Sequence, residues 1–198
     1  MSVAILIIDA QEGFFEIEYA DPARGKQAKK DLAENLNRLL VVARGVGIPV
    51  YHIVTELLPD RSNWNLRMKD LGSAVCIKGT PGEALIAGLQ AEAQDVRITK
   101  HRYSVFFNTE LEKHIRAQSI NTLIMCGINT HACVRASVVD AFMRDYRVFI
   151  PVECVASYDQ EQHESSLKYM AKRIAQIVPL SEMIDRIRRD DYAFRFTE

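Results

Sequence analysis

The stretch NTLIMCGINTHACVRASVVDAF, residues 121–142, decides the fold. Its TLIMC segment is short and apolar on both parities, the pattern of a strand buried on both faces. Gly127 then allows a sharp turn, Asn129 or Thr130 can cap a helix, and the pattern predicts that helix over about 130–145. A fully buried strand feeding directly into a helix is the building unit of a parallel sheet covered on both sides.

Working outward, the same alternation recurs along the chain. VAILII (3–8) reads as another doubly buried strand. Residues 29–47 place Leu32, Leu36, Leu39, Leu40 and Ala43 on one helical stripe and end in glycines. IPVYHIV (48–54) and VRITK (96–100) read as strands, with short helices expected near 64–71 and 82–90 and a further helix over 109–119. RVFIPV (147–152), a helix over about 160–175, the short strand IVPL and a terminal helix complete the series. Residues 1–198 therefore read as a single three-layer α/β/α domain, Rossmann-like, with a parallel sheet flanked by helices.

Composition agrees. The 198 residues are 48% hydrophobic and 26% charged, which excludes disorder, collagen and a disulfide-stapled miniprotein. A formal net charge of −1 supplies no global field for nucleic acid or anionic membranes, so neither is expected as a partner. Cys76, Cys126, Cys133 and Cys154 form no CxxC pair and no zinc-ligand spacing. The N-terminus lacks the features of a signal peptide, and no apolar run approaches the ~18–20 residues that span a bilayer. A reducing cytoplasm with free cysteines is the expectation.

Open parallel sheets bind ligands beyond the carboxyl ends of their strands, near the reversal of strand order. The residues falling there are Asp9, Gln11, Thr55, Lys100, Arg102, the segment 127–133, and Glu153 to Ser157. An acid, an amine and a thiol are among them. Cys133 falls in the first turn after its strand, where helix N–H groups favour a thiolate and can hold an oxyanion, although burial against the sheet is the common fate of a cysteine. Asp9 follows four apolar residues, and desolvation there would raise its pKa for proton transfer; a turn or cap role is the alternative. Lys100 ends a strand, where a solvated snorkelling lysine is the plainer reading.

The segments DAQEGF, KHRYSVFFNTEL and GINTHACVRASVVDAF, in that order, resemble the isochorismatase-like cysteine hydrolases, a family that includes nicotinamidases, N-carbamoylsarcosine amidohydrolases and ureidoacrylate amidohydrolases. The resemblance implies a parallel six-stranded sheet between helices. It also implies a triad of Asp9, Lys100 and Cys133, with no organic cofactor. Cys133 would attack a carbonyl carbon, Asp9 would carry the thiol proton to the leaving nitrogen, and Lys100 would organise the charge. A thioester would form and be hydrolysed. A cis peptide at Ile128–Asn129 is implied as well, aiming the Asn129 and Cys133 N–H groups at the oxyanion.

Gln11, Phe14, Tyr103 and Ile128 are the expected substrate-pocket residues, with packing as the alternative for each. The family's nicotinamidases carry a DxH metal motif after the second strand, where this chain has HIVTELLPDRSNWN (52–65), so no metal site is expected and His52 reads as a core or pocket-wall residue. Arg102 is read as a substrate-carboxylate ligand or a surface ion-pair partner, and His131 as a substrate contact or an ordinary loop polar residue. Trp64 is read as a lid or a subunit anchor, and the C-terminal YAFRFTE as an interface segment. The expected activity is hydrolysis of an amide or ureido C–N bond of a small molecule by a homo-oligomer. The alternatives are a vinyl ether hydrolase working through Asp9 alone and a silent binding scaffold.

Overall fold

The computed structural model describes residues 2–17 and 19–194. Strand β1 (Val3–Ile8) is followed by helices α1 (Glu12–Ile17) and α2 (Pro22–Gly45), then β2 (Val50–Thr55), α3 (Leu66–Leu71) and β3 (Val96–Lys100). Next come α4 (Leu111–Ala117), β4 (Thr122–Ile128), a π-helical turn (Thr130–Val134) and α5 (Arg135–Phe142). Strands β5 (Arg147–Pro151) and β6 (Val155–Ala156), α6 (Gln160–Arg173), β7 (Gln176–Val178) and α7 (Leu180–Arg189) complete the described chain.

All the pairings are parallel, in the order β3-β2-β1-β4-β5-β7, with the two-residue β6 pairing the end of β4. The six-stranded path matches the expected fold, and β6 adds a seventh short strand. The doubly apolar β1 feeds both cores: Val3, Ile5 and Ile7 face one side with Leu32, Leu36 and Leu39 of α2. Ala4, Leu6 and Ile8 face the other with Leu111, Ile115, Val138 and Met170. Period-two alternation thus places helices on both faces.

Helix α2 starts seven residues earlier than the expected segment 29–47, because the Asp21 side chain accepts from the Ala23 and Arg24 N–H groups and Pro22 occupies the first turn. Near 82–90 the sequence pattern misleads, for only a three-residue 3₁₀ turn, Pro81–Glu83, forms there. Leu85 instead bridges Gln11, Ile86 N–H donates to Ala10 at 3.0 Å, and Glu12 N–H donates to Ala84 at 2.9 Å. Pairing with the segment after β1 satisfies backbone groups that a local helix would have satisfied internally. Of the C-terminal aromatic run, Tyr192 is buried in the α2–α7 core and the Phe194 ring meets Phe149 edge-on, so both pack on this chain's own core. Residues 195–198 lie outside the described residues. Among the described residues, no helix is long and apolar enough to cross a membrane.

Candidate active site

Strand order reverses between β1 and β4, and the three expected reactive residues converge beyond that junction. Asp9 directly follows β1 in the left-handed region, φ 54, which aspartate tolerates better than most residues, and its N–H donates to Ile53 at 2.8 Å. Lys100 ends β3, two strands away, paired in register with Thr55 at the end of β2. Cys133 sits in the π-helical turn that follows β4.

That turn is reached through Gly127, φ 116, where a Cβ would stand 1.9 Å from the Ile8 carbonyl oxygen. No side chain fits there. The Ile128–Asn129 peptide is cis. Thr130 Oγ1 donates to Ala156 of β6 at 3.0 Å, and His131 Nδ1 lies 2.7 Å from Ser157 Oγ, so the short seventh strand moors the cysteine turn. From the other side, Ser137 Oγ donates to the Cys133 carbonyl at 2.6 Å and accepts from Val105 N–H at 3.1 Å. The loop after Lys100 and the cysteine turn are thereby fastened together.

The three side chains are almost wholly enclosed: Asp9 is 0%, Lys100 1% and Cys133 5% exposed. Lys100 Nζ lies 2.7 Å from Asp9 Oδ2 and donates to Thr55 Oγ1 at 2.9 Å, to the Arg102 carbonyl at 3.0 Å and to Cys133 Sγ at 3.5 Å. Thr55 Oγ1 in turn donates to Asp9 Oδ1 at 2.8 Å. Lys100 Nζ and Asp9 Oδ2 thus form a buried ion pair beside the Cys133 sulfur.

Burial pushes the Cys133 thiol well above its ordinary value, the Asp9 charge pushes the same way, and Lys100 only partly opposes them. The expected resting thiolate is therefore corrected to a thiol, because desolvation outweighs the helix-end effect in a site this closed. Burial alone would lower the Lys100 pKa, yet the neighbouring Asp9 and Cys133 outweigh it and the net shift is upward. Lys100 stays charged.

Cys133 opens onto a cleft of about 910 Å³ lined also by Phe14, Tyr103, Asn129 and His131. Two other residues expected in the pocket are placed elsewhere. The Gln11 amide is fully buried, donating to the Thr55 and Glu83 carbonyls at 2.9 Å each and accepting from Thr55 N–H at 2.8 Å. It splices the segment after β1 to the end of β2. The Ile128 side chain joins the core on the α2 face, so this residue meets the site through its peptide alone.

Arg102 Nη1 donates to the Asn63 and His101 carbonyls at 2.8 and 2.7 Å, which ties one end of the guanidinium to backbone. Trp64 is buried with Nε1 donating to Leu58 at 2.9 Å, which makes it the anchor of its own loop. His52 lies 3.0 Å from Asp95, itself paired with Arg44 at 2.5 Å, as a core residue between β2 and α2. Thr55 and Ser137 were missed as partners of the reactive groups. The register of Thr55 at a strand end was the one visible signal; nothing local marks Ser137.

Comparison with known proteins places this arrangement. The isochorismatase domain family model matches residues 3–182. The chain is 27% identical over 182 residues, 91% of its own length and 84% of the relative's, to a Pseudomonas chlororaphis protein named "Probable isochorismatase". It is 28% identical over 194 residues to a maleamate amidohydrolase of Pseudomonas putida, covering 93% of this chain and 86% of the relative. The crystal structure of a cysteine hydrolase from Pseudomonas syringae pv. phaseolicola superposes with a TM-score of 0.85 at 26% identity, over 95% of this chain and 93% of the other. On the family match along nearly its whole length and on this shared architecture, the chain belongs to the isochorismatase-like hydrolase superfamily.

Proposed function

We propose that the chain is a cysteine-dependent hydrolase of the amide or ureido C–N bond of a small molecule. The observation that carries this reading is the buried Asp9–Lys100–Cys133 cluster opening into the cleft. As Cys133 Sγ attacks the substrate carbonyl carbon, its proton passes to Asp9, and the C–O π electrons move to the oxygen. The Asn129 and Cys133 N–H groups receive that oxyanion. Asp9 gives the proton to the departing nitrogen, the C–N bond breaks, and a thioester remains. Water then gives a proton to Asp9 and attacks the thioester; the C–S bond breaks, and Asp9 returns that proton to sulfur, freeing the acid and the thiol.

A thiol held protonated at rest needs a base at the moment of attack, and the neighbouring Asp9 carboxylate is the group in this reading that supplies it. Lys100, in contact with both Asp9 and the sulfur, shares the charge that develops there. This reading puts the protein in the cytoplasm, where its cysteines stay reduced and without disulfides, and as a homo-oligomer. Sedimentation at a multiple of the 22.5 kDa chain mass is the expected result for that last point.

Ammonia release from a panel of primary amides and ureido acids tests the chemistry. Cys133→Ala is expected to lower kcat by on the order of 10⁴-fold or more. The similarity to a protein named as an isochorismatase favours a second reading, vinyl ether hydrolysis with Asp9 as the acid. Turnover that survives in Cys133→Ala but is lost in Asp9→Asn would replace the first reading with the second.

A further inference from the structure

Two arginines on the cleft wall have no acidic partner. Arg67 of α3 and Arg135 at the start of α5 both line the cleft onto which Cys133 opens. Among the described residues, neither forms a salt bridge. The Arg135 guanidinium lies over the Tyr169 ring, 4.5 Å from its centroid. Stacking on a ring face fixes the plane of a guanidinium and leaves its in-plane N–H donors free for the two oxygens of a carboxylate.

The other ionisable groups of the wall do not cancel this charge. Asp140 is held by Arg144 at 3.1 Å and accepts from Ser104. Burial pushes His131 below its ordinary value against the opposing pull of Asp159, so its ring is neutral near pH 7. Behind the wall, Lys100 is matched by Asp9. The residues lining the cleft therefore carry two unpaired arginines against one carboxylate that is already paired, with Asp159 acting on His131 from beside the lining and held by the Gln162 N–H. Such a wall draws an anion in and disfavours a cationic ligand.

We infer that the substrate carries a carboxylate and that Arg135, assisted by Arg67, receives it: the substrates are small amides or ureides of acids rather than neutral amides. This rests on the C–N hydrolase reading above and names its substrate class. Arg135 follows Cys133 by two residues, so the π-helical turn that positions the nucleophile also positions the carboxylate's receptor. A substrate held at its acid end would then present its amide carbon to sulfur.

Matched pairs test it: succinamate against succinamide, and phthalamate against phthalamide, assayed with wild type, Arg135→Gln, Arg135→Lys and Arg67→Gln. In wild type the acid of at least one pair is expected to exceed its neutral partner in kcat/KM by about tenfold or more. That preference should collapse in Arg135→Gln, shrink in Arg67→Gln and return in part in Arg135→Lys, while unchanged thermal melts show that the variants fold. Calorimetric binding of succinate and phthalate provides a readout that needs no turnover, and the affinity of at least one is expected to fall about tenfold in Arg135→Gln.

A preference for the neutral amides, or an acid preference that the arginine variants leave intact, would overturn the inference while the hydrolase reading stands. Arginine-dependent dicarboxylate binding without turnover of any amide would uphold it and remove the hydrolase reading. Absence of both turnover and arginine-dependent binding would overturn the inference.

Discussion

The Thr55 hydroxyl accepts from Lys100 at 2.9 Å and donates to Asp9 Oδ1 at 2.8 Å. It thereby bridges the amine and the carboxylate and fixes the orientation of both. Removing a buried hydrogen bond to a charged group costs about 1.5–3 kcal/mol, so Thr55→Val should lower kcat roughly 10–100-fold, with Thr55→Ser retaining most of the activity. Loss of the bond to Asp9 should lower kcat with little change in KM, whereas a purely structural role would move both. At the same scale, the raised Cys133 pKa predicts a thiol at rest. The thiolate ultraviolet absorbance of wild type minus Cys133→Ser should therefore be near zero at about pH 7, and appear only above the ordinary thiol range near 8.5. A full thiolate signal at neutral pH would contradict the proton economy assigned to Asp9.

Among the elements, the β4–α5 junction carries the tightest constraint. Gly127 combines a φ of 116 with a Cβ position 1.9 Å from a backbone oxygen of β1, an atom that cannot swing away. Gly127→Ala should therefore cost about 3–5 kcal/mol in denaturant unfolding and displace the cysteine turn, with activity falling further than stability. Within α2, Leu36 is fully buried on the face that meets β1, and Leu36→Ala should cost about 2–5 kcal/mol while leaving the site chemistry unchanged in the remaining folded protein. The strands and α2 were legible because burial on both faces, or along one stripe, writes a period into the chain. The segment near 82–90 was not, because its partners, Gln11 and Ala10, lie more than seventy residues away. The two-residue β6 leaves no period at all.

For the whole molecule, acid sensitivity follows from three histidines that burial holds below their ordinary pKa: His52, His131 and His163. As the pH falls through about 6.5, the unfolded chain takes up protons that the folded chain still refuses, so stability is lost on acidification. The melting temperature should fall between about pH 7 and pH 5, and His52→Asn should flatten part of that slope. A flat profile in wild type would show that these rings are solvated in the folded state. Near-neutral net charge leaves this dependence to local groups rather than to self-repulsion of the chain.

The sequence by itself determined the parallel α/β architecture, the carboxyl-end placement of Asp9, Lys100 and Cys133, and, through its motif resemblance, the family. Those properties are written in local periodicity and in the residue types at strand ends. Only the tertiary structure decided what the neighbours do. Gln11 and Arg102, both polar and both at strand ends, turned inward to satisfy backbone carbonyls; Thr55 stepped between acid and amine; and Arg135 and Arg67 were left lining the cleft with no acidic partner among the described residues. The physical reason is that a polar side chain is committed by whichever buried partner three-dimensional packing brings within hydrogen-bond reach. That partner lay 44 residues away for Gln11 and 39 for Arg102, beyond anything a local pattern records.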